Sequence, residues 1–595
     1  MRTTKMTKTM SIARLFLAPI AALVLAVAAH AATPGITGNT ATAGSSSTFN
    51  LTAQQGFLNQ PDGESVYAWG YGCVAGTVTF AQTVGGATFP NQNCPLMQVP
   101  APTLIVKENQ VVTITLTNNL PTAAGNTSIL IPDFVVTPSG GTQGLLTMEA
   151  TPNGGTVTYS FTATMPGTHA YYSGTQGDLQ IEMGLYGAIV VLPAAPPTVC
   201  ASGLAAQNRA AAGYWHEQDF RLSTAAYDHA KTCYDREYLF QWSEMDAGIH
   251  REALAQVSDP VRIKACTTSA TTPGCSLSVP TEPYHPAYFL INGRSMPDLM
   301  DANYAAEYPH QPYNGNPHMH PGEQVLVRTI GQGRWEHPFH EHANHVRILA
   351  RDGNLILSAS DQTKLAGLLM FNTDTVPGEA FDGIFYFTGR GLNWDPYGHT
   401  VNSFSHDPNA SLSCTPDAYG YNTGFATSDT TYSGTPTPNA AVTQAINYYE
   451  WCQDHNKPLE ANPFGDVTGG GPATLPNPNI FTNGPWYGGT PYFGPDASLR
   501  AQSTLRPTGT YPGSGSAGCV TGTTIVTAPA GTNPTPFCTN LQPSNIQANP
   551  ASERGWAYMW HSHNEREITT NNVFPGGMLM MMLVDSREFL IDESM

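Results

Sequence analysis

Two histidine pairs of the form His-x-His stand far apart in this chain: His340 and His342 in HPFHEH, and His561 and His563 in WHSHNERE. Side chains alternate faces along a β-strand, so residues i and i+2 point the same way. If both stretches are strands and lie side by side, four imidazoles converge. Neutral imidazole suits copper, zinc, nickel and iron, and the affinity order favours copper. One such pair alone reads equally well as solvated or hydrogen-bonded histidine. Two pairs, one of them inside the run His337, His340, His342, His345, point to a metal centre. Ser562, between the last two histidines, offers only a neutral hydroxyl, a poor ligand for a soft metal. Glu341 lies between two candidate ligands but on the opposite face of its strand. Glu567 reads as a general base, an oxygen ligand or a solvated carboxylate.

Other patterns carry less. His318, Met319 and His320 in NPHMHPGE contain ligand types for an auxiliary copper site, but a loop entering a strand is the preferred reading. The run Met578 to Met582 is read as a buried strand in which flexible methionine fills gaps, in preference to a copper-handling cluster. No phosphate loop, nucleophile elbow or zinc-protease helix motif occurs. The ten cysteines show no CxxC spacing, and none sits beside the histidine clusters. An even count in an exported chain reads as disulfides, for example Cys73 with Cys94 and Cys266 with Cys275. The formal charge of −19 argues against a nucleic-acid partner, which would need a basic patch. Only 12% of the residues are charged, which suits a Gly/Pro-rich β protein better than a helical one.

The elements that must position the histidines follow from patterning. Residues 1–31 read as a signal peptide: Arg2, Lys5, Lys8 and Arg14, then LFLAPIAALVLAVAA, then Ala29-His30-Ala31. The apolar run is too short to span a bilayer, so a periplasmic or secreted protein without a membrane span is expected after its removal. Residues 32–60, small and polar, are expected as a disordered arm. Residues 61–197 carry short alternating runs such as VTITLT with Gly/Pro turns and form a first β unit. Residues 198–284 are assigned to a connector containing a strand near Tyr238–Asp246 and a short helix at HREALAQ. Residues 285–595 form a second β unit, interrupted by an insertion at about 388–552 that holds four of the cysteines. A small molecule or a metal ion is the partner class left open, and homo-oligomer formation is compatible with the sequence.

HPFHEHANHV and WHSHNERE with its downstream GGM resemble the histidine blocks of the multicopper oxidases. TLIVKENQVVTITLTNNLP and PGTHAYYSGTQGDLQIEMGLYGAIVV are similar to blocks of that family's first domain. The resemblance implies an all-β fold of two cupredoxin-like Greek-key β-barrel or sandwich domains, with a large irregular insertion in the second. It also implies copper, with His340, His342, His561 and His563 as cluster ligands and His337 as the counterpart of a blue-copper ligand. The departures are specific. Ser562 replaces the blue-copper cysteine, Glu567 replaces a histidine five residues later, and Met578 lies too far on for the family's methionine spacing. In the first domain, Leu130-Ile131-Pro132 and Tyr172-Ser173-Gly174 stand where the family has histidine pairs, a loss that trimer formation would not restore. The expected function is a divergent copper-binding protein, acting as a copper-dependent oxidoreductase from an all-histidine site with no blue copper. The alternatives are a non-enzymatic copper carrier of the envelope and a metal-free cupredoxin scaffold.

Overall fold

The computed structural model describes residues 33–38, 46–74, 96–202, 220–320, 323–387 and 555–584, with short pieces at 79–80, 94, 489–492, 524–526, 537–539 and 591. Nearly all regular structure is strand, arranged as two units of two facing sheets each.

In the first unit, one sheet has the order Gly167–Tyr172, Tyr186–Leu192, Leu104–Lys107, Ile36–Thr37, Thr79–Phe80. The other has the order Ser65–Cys73, Ser46–Asn59, Val111–Asn118, Thr156–Thr162, Thr137–Gly140. Alternation decides the facing. Val112, Ile114 and Leu116 pair in register with Phe161, Tyr159 and Val157, and all six are buried. The opposite face carries hydroxyl pairs, Thr113 with Ser160 at 3.4 Å and Thr115 with Thr158 at 3.1 Å. Burying each large apolar side chain contributes about 1.5–3 kcal/mol.

Two boundaries differ from the sequence expectation. Residues 46–59, expected within a disordered arm, form a 14-residue strand in the second sheet of this unit. Its many Ser, Thr, Asn and Gln residues mask an alternation in which Phe49, Leu51 and Ala53 all face the core. Residues 236–245, expected in a connector, form a strand of the second unit, parallel to Gln324–Gly331 and antiparallel to Tyr288–Ile291. The expected short helix is Ala247–Val257, capped by Asp246, whose carboxylate accepts from Gly248 N at 2.8 Å. A second helix, Pro260–Thr268, follows. Most of the insertion, like the leader, falls outside the described residues. Its Gly489–Tyr492 piece pairs with Gly555–Ser562.

In the second unit, one sheet runs Tyr288–Ile291, Arg236–Met245, Gln324–Gly331, Ala380–Tyr386, Val346–Arg351, Asn354–Leu355. The facing sheet runs His318–Met319, Leu579–Val584, Gly555–Ser562, His337–Glu341, Asn372–Thr375. Between them Trp560 meets Phe240, Phe339 and Phe385 edge to face, with ring centroids 6.3, 5.8 and 4.9 Å away. Met578, Met580 and Met582 are fully buried in the same core, as expected of a gap-filling strand. Met319 is buried there too, so the His318–Met319 segment is an edge strand of the sandwich.

The units meet through a buried polar cluster. Arg328 donates to Glu237 (2.9 Å) and to Thr168 of the first unit (3.2 Å), and Asp382 accepts from Thr168 Oγ1 (2.6 Å) and the Tyr227 hydroxyl (2.5 Å). Three disulfides join described cysteines: Cys73 with Cys94, Cys200 with Cys233, and Cys266 with Cys275. Among the described residues no helix is long and apolar enough to cross a membrane.

Candidate metal centre

The two histidine segments are neighbours in one ladder. Strand His337–Glu341 runs antiparallel to Gly555–Ser562 with His340 directly opposite His561 and Glu341 opposite Trp560. The pairing extends beyond the strand ends, where His342 N donates to Met559 O (3.2 Å) and His563 N donates to Pro338 O (2.9 Å). Core packing fixes which face is which. Phe339, Tyr558 and Trp560 point into the sandwich, so His340, His342, His561 and His563 share the outer face.

The rings crowd together there. Centroids lie 4.8 Å apart for His340 and His342, 5.3 Å for His340 and His561, 4.9 Å for His340 and His563, and 5.2 Å for His342 and His561. His340, His342 and His561 each present a ring nitrogen within 4.8 Å of the others. The Nε2 atoms of His342 and His561 are 3.3 Å apart. Two nitrogens each roughly 2.0–2.1 Å from one ion in tetrahedral geometry are separated by about this much, so the His342–His561 pair is spaced for a single ion. His563 is exposed and stands beside the group as a fourth imidazole, open to solvent.

Hydrogen bonds assign the tautomers. His340 Nδ1 lies 2.6 Å from the Phe371 carbonyl, and His561 Nδ1 lies 2.6 Å from the Ser562 carbonyl. A carbonyl only accepts, so both Nδ1 atoms carry hydrogen and both Nε2 atoms keep their lone pairs. This is the outer-shell support usual for a metal-binding histidine. Burial, then the neighbouring His342, pushes His340 down to about 4. Burial also lowers His561. These two rings are therefore biased toward the neutral form that binds metal.

His337 is not part of this group. It lies on the inner face, fully buried, between two carboxylates: Nε2 donates to Glu244 Oε2 (2.9 Å) and Nδ1 is 2.9 Å from Glu567 Oε2. Burial alone would depress it, but the hydrogen bonds and charges of Glu244 and Glu567 outweigh burial and raise it to about 9. Both nitrogens thus carry protons, and neither is available to a metal. Ser562 faces the same side and donates from Oγ to Glu567 (2.5 Å). Glu341, also inward, is fully buried, and burial drives its carboxyl well above the usual range.

Glu244 was not singled out from the sequence. Its one signal is a charged residue at an inward position of an apolar strand, in YLFQWSEMD. In the first unit, Leu130 and Tyr172 bridge to each other. They belong to the two segments where the resembled family carries histidine pairs, and they line a cavity of about 540 Å³ with Ile129, Ile131 and Phe134.

Paired β-sandwiches with clustered imidazoles on one outer face define a β protein with a histidine-built candidate metal site. Residues 96–196 match the family model described as multicopper oxidase. Ser562, Leu130-Ile131-Pro132 and Tyr172-Ser173-Gly174 stand where the resemblance implies a blue-copper cysteine and first-domain histidines. Among solved structures it is similar to a multicopper oxidase, mgLAC, at 17% identity over 58% of this chain and 77% of that chain, with a TM-score of 0.34. A blue copper oxidase from Nitrosomonas europaea gives 17% identity over 57% and 76%, with a TM-score of 0.34. A copper nitrite reductase from the same organism gives 16% over 57% and 84%, with a TM-score of 0.32. No curated protein matches the chain.

Proposed function

We propose that the outer-face imidazoles of the second unit bind copper and that the chain is a copper-dependent oxidoreductase with an all-histidine site and no blue copper. The observation that carries this reading is the ladder pairing of His340 with His561, which brings three ring nitrogens within 4.8 Å of one another. His340, His342 and His561 would hold the ion, and His563 would complete or open its coordination. Copper bound there would supply one-electron redox chemistry and Lewis acidity. The chain's own residues orient the donors: Phe371 and Ser562 carbonyls fix two rings through Nδ1. Exposure of His563 gives a small reductant, a phenol or a reduced metal ion, a route to the site.

The test is copper stoichiometry with electron paramagnetic resonance on the wild type and on His561→Ala, followed by an oxidase assay on phenols and reduced metal ions. The expected result is one tightly held copper, lost in His561→Ala, with a weakly coloured protein that oxidises at least one such donor. Copper binding without turnover leaves a carrier. An intense blue thiolate band, or undiminished copper in His561→Ala, overturns the assignment.

A further inference from the structure

The inner side of the same strand pair holds a chain of groups that the outer site does not account for. Glu567 is fully buried and accepts from Ser562 Oγ (2.5 Å) and from Asn564 Nδ2 (2.9 Å), while Asn564 N donates to Ser562 Oγ (3.1 Å). Its backbone closes the same loop: Glu567 N donates to Asn564 O (2.8 Å) and Met578 N donates to Glu567 O (2.8 Å). The segment His561-Ser562-His563 is thereby tied to one carboxylate. That carboxylate meets His337, which meets Glu244. Glu244 in turn accepts from Arg334 N (2.8 Å), Trp335 N (2.9 Å) and the Tyr284 hydroxyl (3.1 Å). A buried carboxylate without compensation is costly, and both Glu567 and Glu244 are met by several donors, so the chain is a built feature.

We propose that Glu567 is the positioning residue of the copper site, setting the pose of His561 and His563 through Ser562 and lending negative charge from behind the strand. His337 and Glu244 hold Glu567 in place, and the chain takes no metal of its own. The proposal rests on the four-imidazole reading of the function. Its charge has a defined consequence. Glu567 brings a carboxylate to the inner face directly behind the ligand segment. Negative charge near a copper ion favours the cupric over the cuprous state, so removing it raises the reduction potential.

The experiment uses copper-loaded full-length chain. Glu567→Gln keeps the shape and one acceptor oxygen but removes the charge; Ser562→Ala keeps the charge but cuts the link to the ligand segment. Copper affinity by competition with a chelator, the reduction potential and the paramagnetic resonance spectrum are read for both, and the metal-free thermal midpoint reports folding. Glu567→Gln is expected to bind copper at wild-type stoichiometry, with about 10-fold weaker affinity and a raised potential. Ser562→Ala is expected to alter the copper hyperfine pattern with little change in potential. A purely structural Glu567 would move the thermal midpoint alone. Wild-type potential and spectrum in folded Glu567→Gln, or, if that variant does not fold, a wild-type spectrum in Ser562→Ala, overturns the proposal. A wild-type chain that binds no copper overturns the functional reading instead, and the proposal with it.

Discussion

His337 makes the second unit's stability depend on pH in a way that can be worked from its surroundings. An ordinary histidine titrates near 6.5; here burial opposes the charge, but the flanking Glu244 and Glu567 outweigh it and raise the group to about 9. A group whose pKa is raised on folding contributes stability that is fully present below its unfolded value and is lost as pH climbs through the folded one. The window therefore runs from about 6.5 to about 9. A tenfold gain in proton affinity is worth about 1.36 kcal/mol, so the contribution is about 3 kcal/mol. The side chain is fully buried, and solvent screening does not discount it. The perturbation is His337→Gln, which cannot charge. Urea unfolding of metal-free wild type and variant, followed by tryptophan fluorescence from pH 6 to 9.5, isolates the histidine because all other titrations occur in both. The wild-type advantage should shrink by about 3 kcal/mol across that range, with nearly all of it gone by pH 9. A gap that stays constant with pH would refute a His337 whose proton is held by Glu244 and Glu567.

Other outcomes follow from the same contacts. Ser562→Cys, loaded with copper, should show no intense blue band, because both His337 nitrogens are engaged by Glu244 and Glu567; visible absorption decides it. Arg328→Leu should cost about 3–5 kcal/mol by urea titration, since Glu237 and Asp382 would be left as uncompensated buried charges. Ala343, buried in the turn after His342, has φ 81°, a left-handed conformation that costs a residue with a Cβ about 1–2 kcal/mol. Ala343→Gly should therefore stabilise the chain by roughly 0.5–1 kcal/mol once the greater freedom of unfolded glycine is subtracted, measurable as a raised urea midpoint.

The histidine site was legible because its signal is local and periodic. The i, i+2 spacing gives a shared face, and only the neighbourhood of the two strands had to be supplied by folding. The Met578–Met582 strand was legible for the same reason. The Ser46–Asn59 strand was hidden because polar composition outweighed a short apolar alternation. The Arg236–Met245 strand was seen as a strand but assigned to a connector, since its parallel partner, Gln324–Gly331, lies about eighty residues on in the sequence and parallel pairing leaves no hairpin signature. His337 was grouped with the other histidines by proximity in sequence. Its inward direction follows from parity with Phe339, but its two carboxylate partners come from strands and loops that no spacing rule connects.

One consequence of the ladder between His340 and His561 concerns the chain as a polymer. Two of the imidazoles that meet there, His342 and His561, are 219 residues apart. An ion shared between them would act as a removable crosslink across that span, penalising the expanded chain far more than the folded one. Resistance to heat and denaturant would then rise with the free concentration of the ion. The protein's persistence would become a readout of how much copper its surroundings contain.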